Sequence, residues 1–244
     1  MAAAKENRQK GVEKYEAEIG AIVNREIERQ MNKDPEVKKA RAAVEKLTAP
    51  AKRLTNQLIQ TSKLSQKDAD AMVDKVNLPP NHAKADPGVG KVMASTFRLL
   101  NGNVQGIRQV KHDPARAAAS RSGRHLQYTP GDYKNLVHEM SHFIEYENEG
   151  VAEAALDWVK SRSDSDKPVP LKQLARGNYG DDEVAYPDKF LTPYVGKSYE
   201  ARGGALSTEV VSMGVEHFQD PVRLTRFAME DPDHFALVLG IIRK

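Results

Sequence analysis

The chain has 244 residues, enough for one large domain or two small ones; 39% are hydrophobic and only 6% aromatic. There is no cysteine, which excludes disulfides and thiolate zinc sites, so any bound zinc must be held by His, Asp or Glu. The net charge of +3 is uneven: residues 1–125 hold 24 Lys and Arg against 14 Asp and Glu, and residues 126–244 hold 13 against 20.

The first residues, Met1 to Arg8, lack the apolar core of a secretory signal, and no apolar run reaches transmembrane length. A cytoplasmic protein with no membrane partner is the expectation; packaging into a virion or delivery by an unconventional route would leave no mark of this kind. Residues 5–32 read as a polar helix with a narrow stripe of Tyr15, Ile19, Ile22, Val23, Ile27 and Met31. Asp34-Pro35 restarts a helix. Ala49-Pro50 is expected to interrupt it, with a third helix through Leu54, Leu58 and Ile59. Ser65 caps a fourth from Gln66 to Val76. Residues 1–77 therefore form an N-terminal helical region without a rich core, suited to placement or to binding a protein partner. Its basic charge points towards nucleic acid less strongly than towards a solvated face, because acidic residues are interleaved along the same helices and no helix-turn-helix spacing is present.

Leu78-Pro79-Pro80 opens a loop, Lys91 to Leu100 reads as a helix, and residues 104–112 and 124–129 read as strands joined by a polar connection from Asp113 to Gly123. Thr129-Pro130-Gly131-Asp132 then supplies a turn and an N-cap. Tyr133, Leu136, Val137, Met140, Phe143 and Ile144 follow at helical spacing. Gly150 allows a break, a helix surrounds Trp158, and residues 178–202, with Tyr179, Tyr186, Tyr194 and Tyr199, read as a hairpin or irregular β segment. Ser207 caps a helix through Phe218, and Asp220-Pro221 and Asp231-Pro232 start two more. The fold class is α+β and mostly helical, with residues 78–244 a domain carrying a small sheet.

His138-Glu139-Met140-Ser141-His142 is an HExxH sequence on the helix after that N-cap. Positions i and i+4 share one helix face, so two imidazoles there can hold one Zn²⁺ while the glutamate beside the first reaches a water on it. A third ligand is required. The HExxHxxGxxH class is excluded because Glu145 and Asn148 occupy its last two positions. Glu209, in the first turn of the Ser207-capped helix and among apolar neighbours, is the preferred ligand. Glu216 comes second, near a helix end where exposure is expected, with His217 and Asp157 behind it.

With these residues the chain resembles the gluzincins, HExxH peptidases whose third ligand is a Glu on a downstream helix. The likeness spans roughly residues 124–220 and implies a zincin-like catalytic domain with zinc on His138, His142 and Glu209 and with Glu139 as general base. It departs at Met213, where thermolysin-like members carry an Asp that orients the first His, and in lacking an aminopeptidase recognition motif. Tyr194-Val195-Gly196-Lys197-Ser198-Tyr199 and Thr208 to Gly214 are faintly similar to the tails of zincin-like proteins in phage and prophage sequences.

The expectation is a zinc endopeptidase acting on protein or peptide. Tyr194 or Tyr199 could supply a phenol to the oxyanion, and the strand at residues 124–128 could offer an edge to an extended substrate. Two further expectations stand beside it: a phage-type structural or assembly protein with a residual zincin domain, and a DNA-associated regulator that cleaves a repressor.

Overall fold

The structure, a computed structural model, describes residues 2–112, 117–163, 167–177, 179–187, 190–199 and 207–244. The chain divides into two compact units, Met1–Ala49 and Pro50–Lys244. The division lies about 28 residues before the boundary at 77/78 that the sequence suggests.

In the first unit, α1 (Ala2–Met31) presents the expected stripe. Tyr15, Ile19, Ile22, Val23, Ile27 and Met31 all lie exposed on it. Asp34 caps the start of α2 (Pro35–Gln60), accepting from the backbone N–H groups of Glu36 and Val37. The break expected at Ala49-Pro50 does not occur: α2 runs through Pro50. An interior proline costs a helix about 3 kcal/mol. Beyond Pro50 that cost is offset by packing, since Ala51 is buried and Leu54, Leu58 and Ile59 lie against the core of the second unit.

The second unit begins with that end of α2. Ser65 caps α3 (Gln66–Asp74), as its position predicts, and α3 packs on α5 (Val89–Leu99) after the short α4 (Pro80–Ala85). Three strands follow: β1 (Gln109–His112), β2 (Ala118–Ser120) and β3 (His125–Tyr128). Their order is β1-β3-β2, with β3 parallel to β1 and antiparallel to β2. β2 lies inside the stretch read as a polar connection. β3 is therefore the central strand, and the substrate edge expected at residues 124–128 is already paired on both sides.

The turn into α6 (Tyr133–Glu147) is fixed by Gly131, whose φ of +85° suits glycine, and by Asp86. Asp86 is buried and accepts from the Tyr128 hydroxyl at 2.7 Å, the Tyr133 hydroxyl at 2.6 Å and the Gly131 N–H at 3.1 Å. Asp132 caps α6 through the Asn135 N–H. Every residue from Leu136 to Glu145 is buried, so α6 is a central helix, packed on β3, β2 and α9 (Val210–Glu216). Asn148 then ends α6 and caps α7 (Glu149–Arg162), two residues before the break expected at Gly150.

A second three-stranded antiparallel sheet has the order β4 (Val169–Pro170), β5 (Val184–Ala185), β6 (Lys197–Ser198), with α8 (Leu171–Leu174) after β4 and a 3-10 turn at Pro193–Gly196 before β6. α10 (Pro221–Glu230) and α11 (Pro232–Arg243) start at their Asp-Pro pairs. α11 crosses α9 closely at Gly214, where a Cβ would lie 2.4 Å from Val238. The architecture is α+β and mostly helical. No helix among the described residues is long and apolar enough to cross a membrane.

Candidate metal centre

α6 brings His138, Glu139, His142 and Glu145 to one region of its surface, all buried. Nε2 of His138 lies 3.1 Å and Nε2 of His142 3.3 Å from Oε2 of Glu209. Four donors about 2.0–2.1 Å from a tetrahedral zinc stand roughly 3.3 Å from one another. Both contacts to Glu209 are close to that spacing, and the three donor atoms, all within 4.8 Å of one another, are the group that could hold a metal among the described residues. Asp157 is exposed on α7, and His217 stacks on Phe227 with ring centroids 4.6 Å apart; neither joins them.

Glu209 reaches this position differently from the expectation. Ser207 does not cap α9; Glu209 itself takes the N-cap position, with φ −100° and ψ 1°. What fixes it is Glu145, one turn beyond His142. The Glu145 carboxylate accepts from the Thr208 N–H and, at 2.8 Å, from the Thr208 hydroxyl. Burial pushes the Glu145 carboxyl up to about 7, against the pull of His142 and the two Thr208 hydrogen bonds. The Glu209 side chain is then divided between partners. Its Oε2 faces both imidazoles and lies 3.1 Å from the Ser212 hydroxyl, while Oε1 accepts a hydrogen bond from the Tyr199 hydroxyl.

Glu216 departs from its expected exposure. It is 4% exposed because seven residues, two helical turns, return it to the face of α9 that carries Glu209. Its Oε2 lies 3.0 Å from Nδ1 of His138, and Oε1 pairs with Lys134 at 3.0 Å. It thus orients the first histidine, the part that the residue at Met213 cannot play.

The electrostatics follow from burial against charge. Burial works to lower the pKa of both imidazoles, but carboxylates prevail and both are raised: Glu209 and Glu216 at His138, Glu209 chiefly at His142. Burial opposes the Glu209 carboxylate, yet His142 and His138 hold it well below its ordinary range. Burial raises the pKa of Glu139, and the two histidines counter it in part. A carboxyl poised upward in this way suits proton transfer.

These groups line a cavity of about 260 Å³ whose walls include Ala117–Ala119, Glu139, Tyr146, Tyr194, Lys197 and Tyr199. β2 is the sheet edge that borders it, in place of β3. Tyr194 and Tyr199, singled out in the sequence, both reach the cavity, but the Tyr199 proton is engaged by Glu209. Lys197 was missed. It is almost fully buried, paired with Glu183 at 2.8 Å and bonded to the Tyr194 hydroxyl oxygen at 3.0 Å. Its signal in the sequence was a lysine inside an otherwise uncharged Tyr194–Tyr199 segment.

Comparison with family models, with curated proteins and with solved structures gives no match to this chain.

Proposed function

We propose that the chain is a zinc-dependent peptide hydrolase of zincin type, acting as an endopeptidase. The observation that carries this reading is the convergence of His138, His142 and Glu209 on one point, with Glu139 lining the same cavity. Three protein ligands with room beside them are what a catalytic zinc requires, whereas a structural site is closed by four. When bound, zinc supplies a Lewis acid for the scissile carbonyl and lowers the pKa of water.

The chain's own residues do the rest. Glu139 accepts a proton from the attacking water and passes it to the leaving amine, helped by the upward push of burial on its pKa. Glu216 keeps the His138 proton on Nδ1, which leaves Nε2 as the donor to the metal. Tyr199 and Ser212 hold the Glu209 carboxylate in one orientation. Ala118 and Ala119 of the β2 edge line the cavity wall, and this edge supplies backbone groups to an extended peptide. The exposed apolar residues of α1 support a protein partner for the N-terminal helices.

Zinc content of protein expressed in zinc-replete medium, measured alongside cleavage of casein and quenched peptides, tests the reading. About one zinc per chain is expected, with hydrolysis that Glu139→Gln abolishes. Absence of stoichiometric metal overturns it. Zinc with no hydrolysis across varied peptides favours instead a residual domain in an assembly protein.

A further inference from the structure

The Lys197 ammonium is a charge held beside the proposed zinc site by three separate constraints. Its backbone is fixed in β6, paired with Ala185 of β5. Its charge is balanced by Glu183, at 2.8 Å and equally buried, and Glu183 is in turn held by the Gly180 N–H at 2.9 Å. Its nitrogen lies 4.7 Å and 4.9 Å from the ring centroids of Tyr194 and Tyr199. An ammonium so confined cannot swing out to water, and a buried charge is costly unless it is paired.

A lysine ammonium has three N–H donors. One goes to Glu183 Oε1 and one to the Tyr194 hydroxyl oxygen. Among the described residues no acceptor takes the third; Glu209 Oε1 stands off at 3.9 Å. Lys197 nevertheless lines the cavity that holds Glu139 and the two histidines. Tyr199, the phenol closest to the ligand set, has spent its proton on Glu209.

We propose that Lys197 is the second electrophile of this site. Its third N–H donates to the oxygen of the scissile carbonyl as that oxygen gains negative charge, the part expected of a tyrosine. Electrons move from the attacking water's oxygen onto the carbonyl carbon and from the C=O π bond onto its oxygen. Lys197 stabilises that oxygen without giving up its proton, and Glu139 receives the proton of the water. A donor fixed in advance in a site shielded from water is the arrangement that favours a transition state over a ground state. This inference rests on the hydrolase reading.

The test compares wild type, Lys197→Met, Lys197→Arg and the double variant Glu183→Gln/Lys197→Met, which leaves no unpaired buried carboxylate if the single change unfolds the chain. Three quantities are read: metal stoichiometry, kcat and KM on a quenched peptide, and the Kd of phenylphosphonate, a tetrahedral anion, for the Co²⁺-loaded protein by visible absorption. Metal content should stay near one per chain in all four. Removal of the ammonium should lower kcat by ~10²–10³-fold, the cost of one oxyanion donor. KM should change little, phenylphosphonate should bind at least tenfold more weakly, and Lys197→Arg should recover part of both losses. Unchanged kcat and phosphonate affinity in the methionine variants would make Lys197–Glu183 a structural pair and sink the proposal. Loss of metal in those variants would overturn it too, making Lys197 a support for Glu209. A wild type that holds no metal refutes the hydrolase reading itself. If wild type binds metal but cleaves no peptide, the phosphonate comparison alone decides the role of Lys197.

Discussion

Replacing Glu216 by alanine separates a ligand from a residue that orients one. Glu216 Oε2 lies 3.0 Å from Nδ1 of His138, with 4% of the residue exposed. Its other oxygen pairs with Lys134, whose side chain is 43% exposed, so that contact adds little in water. The effect is therefore concentrated on one buried hydrogen bond. Losing such a carboxylate behind a metal-bound histidine costs about 10–100-fold in metal affinity, or roughly 1.4–2.7 kcal/mol. The independent figure for a hydrogen bond to a charged group, about 1.5–3 kcal/mol, agrees. Glu216→Gln keeps the shape and one acceptor and should lose less. Glu209→Ala removes a proposed ligand and should lose stoichiometric zinc altogether. Competition against a chromophoric zinc chelator gives the three affinities, with circular dichroism to confirm folding. If Glu216→Ala matched wild type, the orienting role would be refuted; if it fell as far as Glu209→Ala, Glu216 would be the ligand.

Glu139→Gln should retain zinc and fold while losing ~10²–10⁴-fold in kcat, read from peptide cleavage with metal analysis of the same sample. Glu145→Ala should strand the Thr208 N–H and hydroxyl without acceptors, at about 1–3 kcal/mol each in urea unfolding, and should weaken zinc by releasing Glu209. His234 is buried, its pKa lowered by burial to about 4 from 6.5, with Asp231 pulling upward and His217 and Arg162 pushing further down. The unfolded chain therefore takes up the His234 proton first, so the contribution of His234 to stability, present above pH 6.5, should be lost towards pH 4, by about 3 kcal/mol and against the opposite pull of Glu145. His234→Gln, whose amide can still reach the Val210 carbonyl, should lose less stability than wild type between denaturation series at pH 7.5 and 4.5; an equal change in both proteins would refute the role of His234. A fragment 50–244 should fold and bind zinc, whereas 79–244 should not fold stably, because Ala51, Ala69 and Val76 belong to its core; limited proteolysis and circular dichroism distinguish the two.

The parts of this chain that could be read in advance are those where local signals decide the outcome. Asp132, Ser65, Asp220 and Asp231 each cap the helix their position predicts, since a cap is a contact within three residues. His138 and His142 share a face by helical geometry alone. What escaped was set by distant partners. Ala118–Ser120 has no strong β former and becomes a strand only because β3 pairs with it. Pro50 stays helical because the residues after it are packed. Ser207 looked like a cap, but the carboxylate of Glu145, more than sixty residues earlier, holds Thr208 instead and moves the helix start onward. Glu216 sits close to a helix end, where exposure is the usual outcome, and is covered because α6 lies across that end.

The grip of Glu145 on Thr208 reaches beyond the stability of one turn. The helix that carries the two histidines also sets the position of the residue before Glu209, the proposed third ligand. A shift of α6 would therefore carry both sides of the site together, leaving the donor spacing intact. Evolution can then vary the length of chain leading into Thr208 without resetting the centre. The feature that must stay fixed is a composite signature, H-E-x-x-H-x-x-E on one helix and T-E-x₆-E on another, spelled here by His138 to Glu145 and Thr208 to Glu216. Chains sharing both halves are expected to build the same centre even where nothing else between them aligns.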